Sequence, residues 1–404
     1  MRKLIAANAI SRFGDSIDMI AFSWLTYTIT HSASWSAVTV GVNQLISVLF
    51  QPFIGSVVET MNKKKVMVYA DFLRFLTIFL FYIIHKVGVV NPAVLVCFTA
   101  VISFIETFRI PAGVTVIPSL LKEEDFDKGV SMNNSISKCF ELLGLLSAAS
   151  IITLLGADGA VMLDGATFLI SAVLISTITY DAHESTNRDK TSNYFQMTCD
   201  GAKFLCKHKA LLLMCTICGL INSGVIPFDS LQSAYINLYF EERVQVLTAI
   251  SIAVSVGMLL GSVMYQFLPS RMINASILGI GGILLGAFYI TAFFVTTLTT
   301  VLQMKVCIIV AISFVLGIAL AFMNNYVQIY FIKEVNKEFL SRISSISTTI
   351  TTALSPITAF AVSLLAAVFE TSTIFIIWGI IVIFVFISMV CCLKRKSFNP
   401  NYQE

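Results

Sequence analysis

Charge is what this sequence has least of. Charged residues make up 12% of its 404 residues, about half of the 25% or so that a soluble domain carries. A chain so poor in charge has no polar coat to show to water. With 57% hydrophobic residues, 32 Phe among them, it reads as an integral membrane protein rather than a soluble domain. The net charge of only +3 gives no basic surface for nucleic acid.

Other absences narrow the chemistry. The dipeptide Gly-Lys never occurs, so there is no phosphate-cradling Gly-x4-Gly-Lys loop, and ATP-driven transport by this chain alone is not expected. The run "GIGGILLG" (279–286) lies inside an apolar stretch, where its glycines serve close helix packing. The four His, at 31, 85, 183 and 208, sit at stretch ends or in a polar linker with no HExxH, so no metal site is expected. Nine Cys follow no framework spacing, and "CTIC" (215–218) lies in an apolar stretch, read as small buried helix residues. No residue set looks like an activated nucleophile, so neither an enzyme nor a cofactor is expected.

What the chain has is apolar stretches of about 20 residues or more, the length of a membrane crossing. Twelve are read, at roughly 8–30, 36–59, 66–85, 93–119, 130–154, 159–180, 209–239, 247–268, 273–297, 304–332, 343–367 and 372–393. Each must be helical, because unpaired backbone groups in lipid cost several kcal/mol. Asp15 and Asp18 interrupt the first stretch and no small-residue cleavage site follows, so it is expected to stay as a helix rather than be removed as a leader. Of the 26 Lys and Arg, twenty fall on the side of the N-terminus; Lys86, Arg243 and Lys305 fall opposite, and Arg74, Arg109 and Lys138 lie inside spans. The bias puts both termini in the cytoplasm.

The expectation is an all-α membrane protein of two six-helix repeats: 1–180, a polar cytoplasmic linker 181–208, and 209–404. "SMNNSIS" (131–137) and "SRISSIS" (341–347) open the fifth and eleventh spans, and "GSV" recurs at 55–57 and 261–263. Such repeats place a binding site at the midplane. Phe195, Cys199, Ala202 and Leu205 share a helical face, so part of the linker is expected on the inner membrane surface.

The loop "GSVVETMNKKK" (55–65) resembles the signature loop of the major facilitator superfamily, Gly-x3-Asp-Arg/Lys-x-Gly/Asn-Arg/Lys-Arg/Lys. Gly55, Asn62, Lys63 and Lys64 match, Glu59 stands in for the acid, and Thr60 replaces a base. The segments "FRIPAGVTVIPSLLKEEDF" (108–126) and "NYFQMTCDGAKFLCKHKALLLM" (193–214) are similar to its macrolide-efflux, drug-exporting branch. The resemblance implies a conformational latch at Gly55, Glu59, Asn62, Lys63 and Lys64, supported by Asp71, and a cavity lined by spans one, four, seven and ten. Two departures stand out: Ile102 lies where the family's span-four Arg, often tied to proton coupling, would fall, and span five has Gly144 but no Gly-Pro.

Charges within apolar spans cost roughly 2.5–3.5 kcal/mol each on insertion scales and mark function or a partner. Asp18, Glu106 and Glu141 lie at mid-span, and with Arg109 they are the candidates for proton coupling. Four pairs at i, i+3 offer local partners: Glu106–Arg109, Arg12–Asp15, Asp71–Arg74 and Lys138–Glu141. Asp164 falls near an outer helix start, and Pro111 gives span four a place to flex. Candidates for a large greasy cavity are Asp15, Trp24, Tyr27, Phe108, Asn222, Phe228, Asp229, Gln232, Asn324, Asn325 and Gln328. The expected function is export of an apolar or amphipathic small molecule (drug, macrolide-like or siderophore-like) by alternating access with proton antiport, from a monomer in a bacterial cytoplasmic membrane. The alternatives are a lysophospholipid flippase of the same fold and an uncoupled facilitator.

Overall fold

The computed structural model describes residues 2–119, 126–178, 209–268, 276–298, 301–334 and 340–397; within them the side chains of some helical residues, Gly55 and Glu59 among them, are outside the description. The linker expected along the inner surface, 181–208, lies outside the described residues.

Every long element among the described residues is helical. In chain order these are α1 (Arg2–Thr30), α2 (Ala33–Thr60), α3 (Lys63–Lys86), α4 (Pro92–Ser119), α5 (Phe126–Ser176), α6 (Lys209–Tyr239), α7 (Val244–Gln266), α8 (Ser276–Leu298), α9 (Leu302–Glu334), α10 (Leu340–Ala366) and α11 (Thr371–Ser397). α5 is broken at Gly156, whose φ of 77° is a left-handed conformation that glycine adopts without a Cβ penalty. It therefore has two arms. Asn62 starts α3 by accepting a hydrogen bond from the Lys65 amide at 3.1 Å, an ordinary N-cap.

Among the described residues, ten stretches are long and apolar enough to cross a membrane, against the twelve spans expected. The difference has two sources. Ser135–Ser176 counts as one stretch of 42 residues, about twice one crossing, because the helix is continuous but for the Gly156 break. And α1 is not among the ten: Asp15, Asp18 and a series of hydroxyl residues lower its hydropathy.

The chain divides into two compact units, Met1–Lys203 and Phe204–Glu404. In the first, α1 packs most extensively on α5, α2 on α4, and α3 on α5 and α4. In the second, α6 packs on α10, α7 on α9 and α8 on α11. Both units thus pair their first helix with their fifth and their second with their fourth, and α3 meets the second arm of α5 where Gly165 lies against Ile78. Small residues permit these approaches. A Cβ on Gly144 would stand 2.6 Å from the Phe13 carbonyl, and one on Gly14 would overlap Thr167 Oγ1 and Asp164 Oδ1. α1 is therefore wedged against both arms of α5.

Candidate functional site

The first unit holds an open cavity of about 470 Å³. Its wall holds Asn8, Arg12, Asp15, Arg74, Glu106, Arg109, Asn133, Lys138 and Glu141, contributed by α1, α3, α4 and α5. A greasy cavity was the expectation from composition; this one is walled by charges and amides, with Ile110 the apolar exception among large side chains.

The pairing inside it departs from the local spacing. Arg109 Nε donates to Asp71 Oδ1 at 2.8 Å, not to Glu106, and its Nη2 donates to Asn8 Oδ1 at 3.1 Å. Ser171 Oγ donates to the second Asp71 oxygen at 2.7 Å, so the fully buried carboxylate is held from α4 and from the second arm of α5. Arg74 likewise leaves Asp71: its Nη2 donates to Asp15 Oδ1 at 3.0 Å, and its guanidinium lies 3.7 Å over the Phe168 ring. Asp15 accordingly pairs with Arg74 rather than with Arg12. Lys138–Glu141, at 2.5 Å, is the one local pair of the four that forms as spaced. Asn8 Nδ2 donates to Asn133 Oδ1 at 3.0 Å, tying α1 to the first arm of α5.

Glu106 faces the cavity with no hydrogen-bond or ion-pair partner among the described residues. Glu106, together with Asp15, Asp71 and Asp164, acts electrostatically on the buried Arg74. Asp164, expected at a helix start, is instead buried in the second arm of α5, where Thr167 Oγ1 contacts its Oδ1 at 3.2 Å. Asp18 lines a second, smaller cavity of about 80 Å³ with Phe22, Asn43, Phe81, Phe98, Thr99, Ile102 and Ser103. Its Oδ1 has no surface exposure and no partner among the described residues. Ile102, where the resemblance would place a base, supplies none.

The latch residues are placed only in part. Lys64 Nζ donates to the Ser176 and Ile178 carbonyls at 2.7 and 2.6 Å, and Lys3 Nζ reaches the Thr177 carbonyl at 3.3 Å. Two ammonium groups thus cap the C-terminal end of α5, where unpaired carbonyls favour cations. Asn62 is the cap of α3, and Lys63 opens that helix; Asp71 belongs to the charge cluster; Gly55 and Glu59 lie outside the described side chains.

The second unit is less charged. Asn324 and Gln328 line a cavity of about 340 Å³ with Met214, Cys215, Cys218, Ser347 and Thr351; Asn325 does not. Asn222 Nδ2 reaches the Thr351 carbonyl at 3.3 Å. Gln232 is buried and Asp229 is exposed on α6. Phe228, expected at a cavity wall, packs instead between Phe288 and Phe375, with ring centroids 4.9 and 6.1 Å away. Pro227 removes one helix hydrogen bond there. Tyr289 Oη repairs the turn by donating to the Gly224 carbonyl at 2.8 Å and accepting from the Phe228 amide at 3.2 Å. In the first unit Trp24 is buried and Tyr27 half-buried, and Phe108 packs beside the core around Leu4, Met67 and Val116. None of the three lines either cavity. The residues that sequence reasoning missed are Asn8, Asn133, Ser171 and Phe168; amides at 8 and 133 inside apolar helices were the available signal.

Solved structures share this fold at low identity. The nucleoside transporter NupG aligns with a TM-score of 0.75 and 14% identity, covering 96% of this chain and 98% of its own. A bacterial homologue of the iron transporter ferroportin, solved in an inward-facing state, aligns with a TM-score of 0.72 and 16% identity over 96% and 98%. Among curated proteins, the uncharacterized MFS-type transporter YkuC of Bacillus subtilis (strain 168) is 23% identical over all of this chain and 95% of its own. Macrolide efflux protein A of Streptococcus pyogenes is 22% identical over 96% and 93%. The ten stretches among the described residues are long and apolar enough to cross a membrane, and the model of the Major Facilitator Superfamily matches residues 4–331, well over half of the chain; the chain belongs to that superfamily as a multi-pass membrane transporter.

Proposed function

We propose that this transporter exports an apolar or amphipathic small molecule by alternating access, in exchange for protons that enter through the charge cluster of the first unit. The observation that carries the reading is an imbalance. Asp15, Asp18, Asp71, Glu106 and Asp164 converge on the buried Arg74 and Arg109. Arg12 is exposed and Lys138 is held by Glu141, so neither answers the deeper acids. More carboxyls than guanidiniums means that some acid has no fixed countercharge. In a low-dielectric site an acid of that kind can exchange a proton at little cost to its neighbours. The similarity to macrolide efflux protein A supports export, and the bias of Lys and Arg supports cytoplasmic termini in a bacterial cytoplasmic membrane.

Everted vesicles loaded by a pH gradient provide the test. Wild-type protein should accumulate an amphipathic drug and lose that accumulation when the gradient is collapsed. Glu106→Gln should keep exchange of labelled drug but lose its dependence on the gradient, and Asp18→Asn should lose that dependence whatever it does to drug binding. Gradient-driven accumulation that survives both substitutions would point to the uncoupled facilitator.

A further inference from the structure

The small cavity beside Asp18 has a donor and acceptor inventory with a clear sign. Thr99 Oγ1 donates its one proton to the Leu95 carbonyl at 2.9 Å, and Ser103 Oγ donates its own to the Thr99 carbonyl at 2.7 Å. Both hydroxyls therefore have only lone pairs left. Asn43 Nδ2 donates to Ser103 Oγ at 2.8 Å, which fixes the amide and leaves Asn43 Oδ1 as a further acceptor. Asp18 Oδ1 is buried and unpartnered. The remaining wall includes Phe81 and, on it, Phe22 and Phe98, whose ring centroids lie 5.9 and 5.2 Å from that of Phe81. No base lines the cavity. Arg74, the cation that acts on Asp18, is bonded to Asp15 and stacked on Phe168.

A wall of acceptors and aromatic rings around an unanswered carboxyl is complementary to a cation that has donors only. An ammonium group has that chemistry: N–H donors, no acceptor, and attraction to ring faces. We propose that Asp18 is the seat for a protonated amine of the transported molecule, with Asn43 orienting the N–H groups and Phe22, Phe81 and Phe98 enclosing its carbon substituents. A bare sodium ion would need five or six oxygens where three rings stand. The inference rests on the transport reading of the same cluster and deepens it: the substrate class becomes amphipathic amines, and the carboxyl that takes the amine cannot at the same moment hold a proton.

The test needs binding and no transport. Protein in nanodiscs of zwitterionic lipid is titrated calorimetrically, at neutral pH, with phenethylamine and with its neutral isostere 2-phenylethanol. The amine should bind at least about tenfold tighter, the worth of one charge-assisted hydrogen bond. Asp18→Asn should erase that preference while leaving the alcohol unchanged. Phe81→Leu, which removes a ring and no charge, should weaken the amine about two- to fivefold, and it decides the matter if Asp18→Asn does not fold. Equal affinity for the two probes would overturn the assignment, as would an Asp18-dependent sodium heat with no amine preference. Wild-type protein that shows no amine preference while its proton-coupled export is intact would sink this inference alone. A clear preference in a protein that shows no gradient-driven transport would sink the proton-exchange reading and keep the amine site.

Discussion

Asp71 and Arg109 meet across α3 and α4 at 2.8 Å, with Ser171 bonding the other carboxylate oxygen. Breaking a buried pair from one side strands a charge, at about 3–5 kcal/mol. Asp71→Asn should therefore lower the thermal unfolding midpoint in detergent more than any other single acid-to-amide change in the first unit. Adding Arg109→Gln should recover part of the loss. Glu106→Gln should be mild for stability, because Arg109 does not depend on Glu106. A large loss at Glu106 with little at Asp71 would restore the local pairing.

Arg74 serves one carboxylate and one ring at once. A lysine supplies the charge but neither the planar stack nor the fork of donors. Arg74→Lys should stay inserted, lose about 1–2 kcal/mol of stability, and reduce gradient-driven transport several-fold. Wild-type rates in this variant would show that position 74 contributes charge alone.

The closeness of α1 to α5 predicts a size limit at two glycines. Gly144→Ala would press a methyl on the Phe13 carbonyl, which belongs to a helix backbone and cannot swing away. A cost of about 1–3 kcal/mol follows. Gly14→Ala displaces the Thr167 and Asp164 side chains instead, so it should perturb transport in addition to the melting temperature. Neutral behaviour of Gly144→Ala would mean the two helices are free to part.

Tyr289 supplies the hydroxyl that repairs the turn around Pro227. Tyr289→Phe keeps the ring and leaves the Phe228 amide short of a partner in a buried place, at about 1–3 kcal/mol. The double change with Pro227→Ala restores the helix ladder and should recover most of that, a comparison readable by thermal unfolding.

Much of the fold was legible because membrane helices announce themselves by length and hydropathy. The charge cluster was legible only as an inventory. Four acid–base pairs stand at i, i+3, and spacing alone treats them alike. The structure separates them by burial. Lys138 and Glu141, at 38% and 33% exposed, stay with each other. Arg74 and Arg109, at 9% and 12%, turn to carboxylates on other helices. A buried guanidinium needs several acceptors in good geometry, and the next turn of its own helix offers one at most. Such partners are 38 and 59 residues away along the chain, beyond any local rule. The same blindness hid Ser171 and Phe168, ordinary residues until Asp71 and Arg74 arrive beside them.

α1 is too polar to qualify as a membrane crossing by composition, yet it is wedged between the arms of α5, and Asp15 finds its cation on α3. The consequence concerns the order of synthesis. The first helix to leave the ribosome carries two carboxyls whose lipid entry is costly; the cation that answers Asp15 is translated about 60 residues later, and the α5 arms that pack around the helix about 130–150 residues later. α1 must therefore wait at the membrane surface or in the translocon until α3 and α5 arrive. A nascent chain arrested before α5 should leave α1 accessible to water-soluble thiol reagents at an engineered cysteine, and one arrested beyond Ser176 should not.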